Sequence, residues 1–348
     1  MKLGIIGLPG AGKSTIFAAL TGARGEDALH KGPRADARIG TVRVVDERLD
    51  FLTALFKPKK TTFAQVEYFL PSQPAVAVSS KSESLVWNQV RVCDALIHVV
   101  RNFPDPVGEA PTPEADFWRL EEEMILSDLL VVEKKIERIE LDSRRGLKPN
   151  EEEYGLIRTC REMLEKGTPL RMNAGVAEAP VLRGFTFLSA KPQLVIVNNP
   201  EDDETLPPWK NVPEKVDRTV VRGRIEMEIA SMPAEEAGEF RAEYRIQESA
   251  LDRVIKGSYE LLHLISFFTV LHDEVRAWTI PAGTTAIEAA GTVHTDMKKG
   301  FIRAEVAPFQ QLKACGTYAE AKKAGQVRLE GKEYVVQDGD IIQFRFNV

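Results

Sequence analysis

Residues 2–22 read KLGIIGLPGAGKSTIFAALTG and contain, from Gly7 to Ser14, the phosphate-binding pattern GxxxxGK[ST]. The apolar residues before Gly7 suit a buried parallel strand, and those after Ser14 give one apolar face to a helix. Glycines between the two let the backbone turn its N–H groups inward, where they and the helix N-terminus form an anion site. The stretch therefore predicts a P-loop for a nucleoside triphosphate.

The pattern assigns roles to individual residues. Lys13 is expected to reach the β- and γ-phosphates, and the Ser14 hydroxyl to bind Mg²⁺, the predicted cofactor. The predicted phosphate-binding residues are Gly7, Pro9, Gly10, Ala11, Gly12, Lys13, Ser14 and Thr15. No catalytic residue is assigned from the sequence.

Composition bounds the class of protein. The chain has 348 residues, 43% hydrophobic and 28% charged, which is typical of a globular protein of two or three domains. Its formal net charge of −6 argues against a general attraction to nucleic acid. The three cysteines show neither paired nor metal-ligand spacing, and there is no apolar run of membrane-spanning length and no room for a signal peptide. These features predict a cytoplasmic protein without a membrane partner.

The secondary-structure pattern of the sequence changes twice along the chain. Residues 1 to about 110 alternate between strand and helix patterns, as in an α/β domain. Residues 114–166 are charged and helical, and SRRGLKPN (143–150) interrupts them, which predicts an inserted antiparallel helical hairpin. The apolar seam of its first helix, at coiled-coil spacing, consists of Ile125, Leu129, Val132, Ile136 and Ile139.

Apolar patterns typical of strands return after the predicted hairpin. FTFLSAKPQLVIVNN (185–199) and DRTVVRGRIEMEIA (217–230) read as strand-like runs, and ESALDRVIKGSYELLHLI (248–265) reads as a helix. From Ser266 onward the chain is β-rich and is interrupted by one predicted helix near TAIEAAGTVH (285–294). This part predicts a small mixed α+β domain.

Three segments resemble the YchF group of Obg-related P-loop NTPases, the relatives of the Obg-like ATPases. The C-terminal part, including EVRAWTIPAGTTAIEAAGTVHTDMKKGFIRAEV (274–306), is similar to that family's TGS domain almost word for word. ILSDLLVVEKKIERIE (125–140) resembles its coiled-coil insertion, and VRVCDALIHVVRNF (90–103) resembles the segment entering its fourth strand. The match covers nearly the whole chain.

The resemblance implies an α/β architecture of three parts. These are a Ras-like P-loop NTPase domain (1–113 and 186–264), an inserted antiparallel helical hairpin (114–185) and a C-terminal ubiquitin-like β-grasp (TGS) domain (265–348). It also implies an ATP-binding switch protein that contacts ribosomes. Basic residues at the hairpin tip and in the TGS domain are candidates for contacting RNA phosphates, with a merely solvated surface as the alternative; they are Arg144, Arg145, Lys148, Lys298, Lys299 and Arg303.

The switch segments depart from the family. Gly10 and Ala11 replace an Asn-Val pair, which a phosphate loop tolerates. Arg34 stands where a Mg²⁺-contacting threonine is expected, Leu70 at the aspartate of the second switch and Gln73 at its glycine, followed by VAVSSKSES (76–84). We therefore expect weak or absent hydrolysis. Two alternatives stay open: a working ATPase or GTPase completed by a partner, and a nucleotide-independent TGS scaffold.

The loop after the fifth strand bears on base preference. In the family an Asn-x-x-Glu pattern disfavours guanine and allows adenine, and here Asn198 pairs with Glu201 in that register. Slipped by one residue, Asn199 pairs with Asp202 and would suit GTP; a polar turn without base contact is the third interpretation. The backbone N–H of Gly223 is a further predicted base contact. The resemblance thus implies ATP rather than GTP as the ligand, and a ribosome or another RNA-containing assembly as a possible partner.

Overall fold

The computed structural model describes residues 1–22, 34–35, 37–74, 86–243, 249–271 and 273–347, and of residues 34, 35, 73, 74, 234 and 243 it describes the backbone alone. The described chain forms two compact units, Met1–Thr41 with Glu67–Val254 and Val42–Val66 with Ile255–Val348. Residues 42–66, which the sequence assigns to the nucleotide-binding domain, thus group with C-terminal residues. The three-domain boundaries stay a prediction.

Strands and helices alternate through much of the chain. The strands are β1 (Lys2–Ile6), β2 (Arg34–Ala35), β3 (Arg38–Arg43), β4 (Lys60–Thr62), β5 (Gln65–Leu70), β6 (Gln73–Pro74), β7 (Ala95–Arg101), β8 (Gln193–Asn198), β9 (Asp217–Val221), β10 (Leu264–Val270), β11 (Glu274–Pro281), β12 (Phe301–Pro308), β13 (Arg328–Glu330) and β14 (Asp340–Phe346). The α-helices are α1 (Lys13–Thr21), α2 (Glu47–Phe56), α3 (Pro113–Arg144), α4 (Glu151–Glu165), α5 (Ala174–Ala177), α6 (Gly223–Ser231), α7 (Ala234–Glu243), α8 (Ala250–Leu261), α9 (Ala286–Val293), α10 (Thr295–Lys299), α11 (Phe309–Cys315) and α12 (Tyr318–Lys323). No helix within these described ranges is both long and apolar enough to cross a membrane.

A six-stranded sheet, in the order β3-β5-β1-β7-β8-β9, contains the strand that leads into the phosphate loop. β1 runs parallel to β5 and β7, and β8 runs parallel to β7 and β9. Leu3 and Ile5 of β1 have no exposed surface, and every residue of β8 is buried. Such two-sided burial is typical of a parallel sheet, and it brings the carboxyl ends of β1, β7 and β8 to one edge.

The predicted helical hairpin is present as α3 and α4, joined by residues 145–150. The predicted seam is confirmed in part, because three of its residues are buried against α4 and the segments that follow; they are Ile125, Val132 and Ile136. Asp128 of α3 is fully buried and accepts hydrogen bonds from the backbone N–H groups of Leu188 (3.0 Å) and Ser189 (2.7 Å) and from Arg91 (2.9 Å). These bonds tie the hairpin to the chain entering β8.

The second unit is built on a sheet in the order β13-β12-β14-β10-β11-β4. β10 and β11 form an antiparallel hairpin, β14 is parallel to β10, and β12 is antiparallel to β14. Apart from β4, this is the strand order of a β-grasp fold, and α9 packs on one face through Ala286 and Ala289. Leu49 and Leu52 of α2 cover the other face together with Leu312 of α11.

Two secondary-structure predictions are wrong. Residues 217–230 are not one strand-like run, because β9 ends at Val221 and α6 begins at Gly223. Ile225 and Ile229 lie four residues apart and are buried on one helix face, a period that the adjoining valines conceal. The C-terminal part also contains α10, α11 and α12 besides α9, and these helices are too short to show a helical period in sequence.

Candidate functional site

Three glycines shape the loop between β1 and α1. Gly7, Gly10 and Gly12 have φ values of 152°, 80° and 91°, which side-chain-bearing residues rarely adopt. A Cβ on Gly7 would lie 2.3 Å from the carbonyl oxygen of Val99, and one on Gly12 would lie 2.2 Å from Asn198 Nδ2. The loop conformation and its close neighbours therefore require glycine at both positions.

Lys13 is the buried cation of this loop. Lys13 is only 9% exposed, and its ammonium group donates hydrogen bonds to the carbonyl oxygens of Gly7 (2.8 Å) and Leu8 (2.9 Å). Burial lowers the Lys13 pKa from 10.5 to about 8. The loop thus holds a positive charge among backbone groups, where water screens it poorly.

The remaining predicted loop residues lie around the N-terminus of α1. Pro9 and Gly10 are exposed, Ala11 is buried, and Ser14 and Thr15 are half-buried in the first turn of the helix. Among the residues that the structure describes, no group of three or more His, Cys, Asp or Glu side chains is arranged to hold a metal ion. The Ser14 hydroxyl, in the first turn of α1, is one oxygen of the kind that Mg²⁺ takes together with phosphate and water oxygens.

Asn198, the last residue of β8, connects the loop to a second segment. Its Nδ2 donates to the carbonyl oxygen of Ala11 (3.1 Å), and its Oδ1 accepts from the backbone N–H of Gly223 (3.0 Å). The residue is only 4% exposed. The Gly223 N–H, predicted to face the base, is thus engaged with Asn198 and helps to fix the phosphate loop against the start of α6.

The next residue, Asn199, has different partners. Its Nδ2 donates to the carbonyl oxygens of Asp203 (3.1 Å) and Thr205 (2.8 Å), and its Oδ1 accepts from Asn102 (2.9 Å). These bonds hold the turn that follows β8. Asn198 and Asn199 are equally buried, but only the first of them bonds to the phosphate loop.

Glu201 lies in that turn and is paired. Its carboxylate is 3.1 Å from Arg224 Nε, and its backbone carbonyl accepts from Arg222 at 3.4 Å. Arg222 also forms a 2.6 Å ion pair with Glu204. Nothing in the sequence predicted that Arg222 and Arg224 would both contact the 201–204 turn.

Of the predicted switch positions, the structure describes Leu70 fully and Arg34 and Gln73 by their backbone alone. Leu70 ends β5 and is 3% exposed, so an aliphatic group without a hydrogen-bond acceptor occupies this point. The backbones of β2 and β6 pair in antiparallel fashion, with Arg34 opposite Pro74. The side chains of Arg34 and Gln73 and the whole of residues 75–85 lie outside the described residues, so the predictions about them stay predictions.

His98 of β7 is a buried polar residue that sequence reasoning did not single out. Its ring stacks on Phe117 with centroids 5.1 Å apart, and Gln193 Nε2 lies 2.8 Å from Nδ1. Burial lowers the His98 pKa to about 3, so the imidazole is neutral at physiological pH. Because an amide nitrogen only donates, Nδ1 accepts this bond, and His98 serves packing. A lone histidine in an apolar run carries no signal of this pairing.

The predicted RNA-contacting residues lie at the surface of their own units. Arg144, Arg145 and Lys148 are exposed at the turn between α3 and α4. In the second unit, Lys298, Lys299 and Arg303 are likewise exposed. Their ion pairs are long: Arg145 lies 3.8 Å from Asp142, and Lys299 lies 3.8 Å from Asp296. Such exposed pairs hold a cation weakly.

Comparison with a family model concerns the second unit. The model YchF-GTPase_C, described as "Protein of unknown function (DUF933)", matches residues 264–347. That span runs from the start of β10 to the end of the described chain, and so covers the β-grasp strands.

Curated proteins and solved structures match the chain along its length. It is 41% identical over 365 residues to the "Ribosome-binding ATPase YchF" of Bacillus subtilis (strain 168), covering all of both chains, and 37% identical to the protein of the same name from Escherichia coli O157:H7, covering 100% of this chain and 99% of that one. The solved structure of the Schizosaccharomyces pombe YchF GTPase matches with a TM-score of 0.85 at 30% identity, over 99% of this chain and 97% of that one. A GTP-binding protein from Pyrococcus horikoshii OT3, at TM-score 0.56 and 18% identity with both chains fully covered, shows a likeness of fold alone. On this full-length similarity, the chain belongs to the YchF family.

Proposed function

We propose that this protein binds ATP with Mg²⁺ in the phosphate loop and acts as a cytoplasmic, ribosome-associated regulator of the YchF type. The observation that carries the proposal is the pair of hydrogen bonds made by the Asn198 side chain. One goes to Ala11 of the phosphate loop (3.1 Å) and the other comes from the backbone N–H of Gly223 (3.0 Å). A loop that is hydrogen-bonded to a buried amide keeps its N–H groups in place before a ligand arrives. Binding therefore costs little conformational entropy.

Three kinds of group would bind the nucleotide phosphates: backbone N–H groups, the Lys13 ammonium and Mg²⁺. Backbone N–H groups between Gly10 and Thr15 would donate to the phosphates, since a helix N-terminus attracts anions. The Lys13 ammonium would exchange its bonds with two loop carbonyls for bonds with phosphate oxygens. Mg²⁺, when bound at Ser14, would neutralise phosphate charge. The loop and its lysine thus supply binding without any help from the switch segments.

The register of the base loop is supported by the two asparagines. Asn198 contacts the phosphate loop, whereas Asn199 is occupied with Asn102 and with the turn beyond. Counting three residues from Asn198 gives Glu201, and this register favours ATP. The slipped pair of Asn199 and Asp202 would need Asn199 to give up its three hydrogen bonds.

Hydrolysis is proposed to be weak or absent. Phosphoryl transfer depends on positioning and on charge stabilisation around the phosphate. Leu70, at the position of the second-switch aspartate, has no oxygen to offer. The alternative of a working enzyme completed by a partner needs that partner to supply the missing groups.

Ribosome association rests on the relatives, which are named ribosome-binding ATPases. The exposed basic residues at the hairpin turn and in the second unit offer phosphate contacts of the kind that RNA takes. Sedimentation of the protein with ribosomes at low and moderate salt tests this part of the proposal. A protein that stays in the supernatant at both salt concentrations would contradict it.

Competition titrations with ATP and GTP, in the presence of Mg²⁺, test the nucleotide proposal. Lys13→Ala should weaken ATP binding about 10- to 150-fold, because one charge-assisted phosphate contact contributes about 1.5–3 kcal/mol. Lys166→Ala, which removes an exposed lysine at the end of α4, is the matched control and should bind as the unaltered protein does. Tighter binding of GTP than of ATP would contradict the Asn198–Glu201 register.

A further inference from the structure

Two arginines on either side of Gly223 contact the turn that follows β8. Arg222 forms a 2.6 Å ion pair with Glu204, and its side chain is only 13% exposed. Arg224 Nε forms an ion pair with Glu201 Oε1 at 3.1 Å and donates a hydrogen bond to Glu228 Oε1 at 3.4 Å. Arg222 therefore anchors the turn, while Arg224 contacts the carboxylate that the proposed register aligns with the base.

The contact between Arg224 and Glu201 should affect guanine and adenine differently, because the two bases present different hydrogen-bonding groups to a carboxylate. Guanine presents two adjacent N–H donors, on ring N1 and the exocyclic amino group, and both oxygens of one free carboxylate accept them together. Adenine presents one exocyclic amino group beside a ring nitrogen whose lone pair repels a carboxylate. A carboxylate with one oxygen held by a guanidinium accepts one N–H well, and its negative charge is offset. Such a carboxylate suits adenine better than guanine.

We infer that Arg224 is a positioning residue for base selectivity: its guanidinium pairs with one oxygen of Glu201, offsets the charge there, and so biases the nucleotide site toward ATP and against GTP. The inference rests on the proposed nucleotide-binding function. It concerns Arg224 and not Arg222, because Arg222 reaches Glu201 through the backbone carbonyl alone and leaves the carboxylate unaffected.

The exposure of the pair separates this role from a structural one. The side chains of Arg224 and Glu201 are 73% and 53% exposed, and ion pairs at such exposed sites contribute little to stability. Loss of Arg224 should consequently leave the unfolding temperature almost unchanged. Its effect should show in the ratio of the two nucleotide affinities.

The experiment is a competition titration of the full-length protein with ATP and GTP, both with Mg²⁺. In Arg224→Ala, the preference for ATP over GTP should fall by up to about fivefold, because both oxygens of Glu201 are then free of the guanidinium. Glu201→Gln removes the carboxylate, and the double variant Glu201→Gln/Arg224→Ala should then have the same preference as Glu201→Gln alone. Arg119→Ala is the matched control, since Arg119 is likewise exposed and has an i,i+4 carboxylate partner, Glu123, on α3.

The outcomes separate the two proposals. An unchanged preference in Arg224→Ala, with ATP binding intact in the unaltered protein, overturns the inference and leaves the proposed function standing. Equal weakening of both nucleotides also overturns it, because the contact would then be indifferent to the base. If the unaltered protein binds neither nucleotide, the proposed function fails and the inference with it.

Discussion

The ends of β1 and β5, two neighbouring parallel strands, differ sharply in what they offer a nucleotide. β1 runs into a loop in which Gly7 and Gly12 have no room for a side chain and Lys13 is buried among carbonyls. β5 ends in Leu70, a buried aliphatic residue. In the proposed function, phosphate binding and hydrolysis depend on different strand ends, so a chain is able to retain one while the other changes.

The largest effect expected from this difference is on turnover. Losing one charge-stabilising group from such a site slows phosphoryl transfer by about 10³–10⁵. We therefore expect phosphate release under saturating ATP and Mg²⁺ to be no faster than in Lys13→Ala. Multiple turnovers per minute that vanish in the lysine variant would show that Leu70 does not disable the site, and the contrast between the two strand ends would lose its functional meaning.

A smaller effect should separate the two asparagines that follow one another at the end of β8. Asn198→Ala removes the bonds to Ala11 and Gly223, so ATP affinity should fall about tenfold. Asn199→Ala is the matched variant, because it removes an equally buried amide whose bonds lie outside the phosphate loop.

Both asparagine variants should lower the free energy of unfolding by about 1–3 kcal/mol, since each leaves buried backbone groups unpaired. Chemical denaturation measures that loss, and a titration with ATP measures the affinity. Weaker ATP binding in Asn199→Ala than in Asn198→Ala would favour the slipped register with Asp202.

A somewhat smaller effect than that of Asn198→Ala is expected from the response of Lys13 to pH. Its pKa of about 8 in the folded protein lies below its ordinary value of 10.5 because burial disfavours the charge. Phosphate contact needs the ammonium, so ATP affinity should fall about eightfold between pH 7.5 and 9 as the free protein loses this proton.

The contribution of Lys13 to stability should run in the opposite direction. The unfolded chain keeps the proton up to its ordinary pKa, so the free energy of unfolding should rise between about pH 8 and 10.5 relative to Lys13→Ala. Titrations with ATP and chemical denaturation at pH 7.5 and 9, each compared with that variant, measure the two trends. An ATP affinity that does not change with pH would show that the charge of Lys13 is unimportant for binding.

Much of the fold could be predicted because its signals are local. The glycine spacing predicts the loop after β1, and the apolar seam predicts the packing of α3 against α4. Predictions were wrong where a helix follows a strand after a single residue, as at Gly223, and where helices are shorter than two turns. A period needs several repeats before it can be recognised.

The sequence by itself determined the phosphate loop, because its glycines stand at the spacing of the phosphate-binding pattern and the positive φ values of Gly7 and Gly12 favour glycine. It also determined that Leu70 carries no acceptor. Only the tertiary structure decided which asparagine bonds to that loop and which carboxylate Arg224 contacts. The physical reason is distance along the chain: Asn198 and Ala11 are 187 residues apart in sequence, and no local pattern records a contact that the ordering of parallel strands creates.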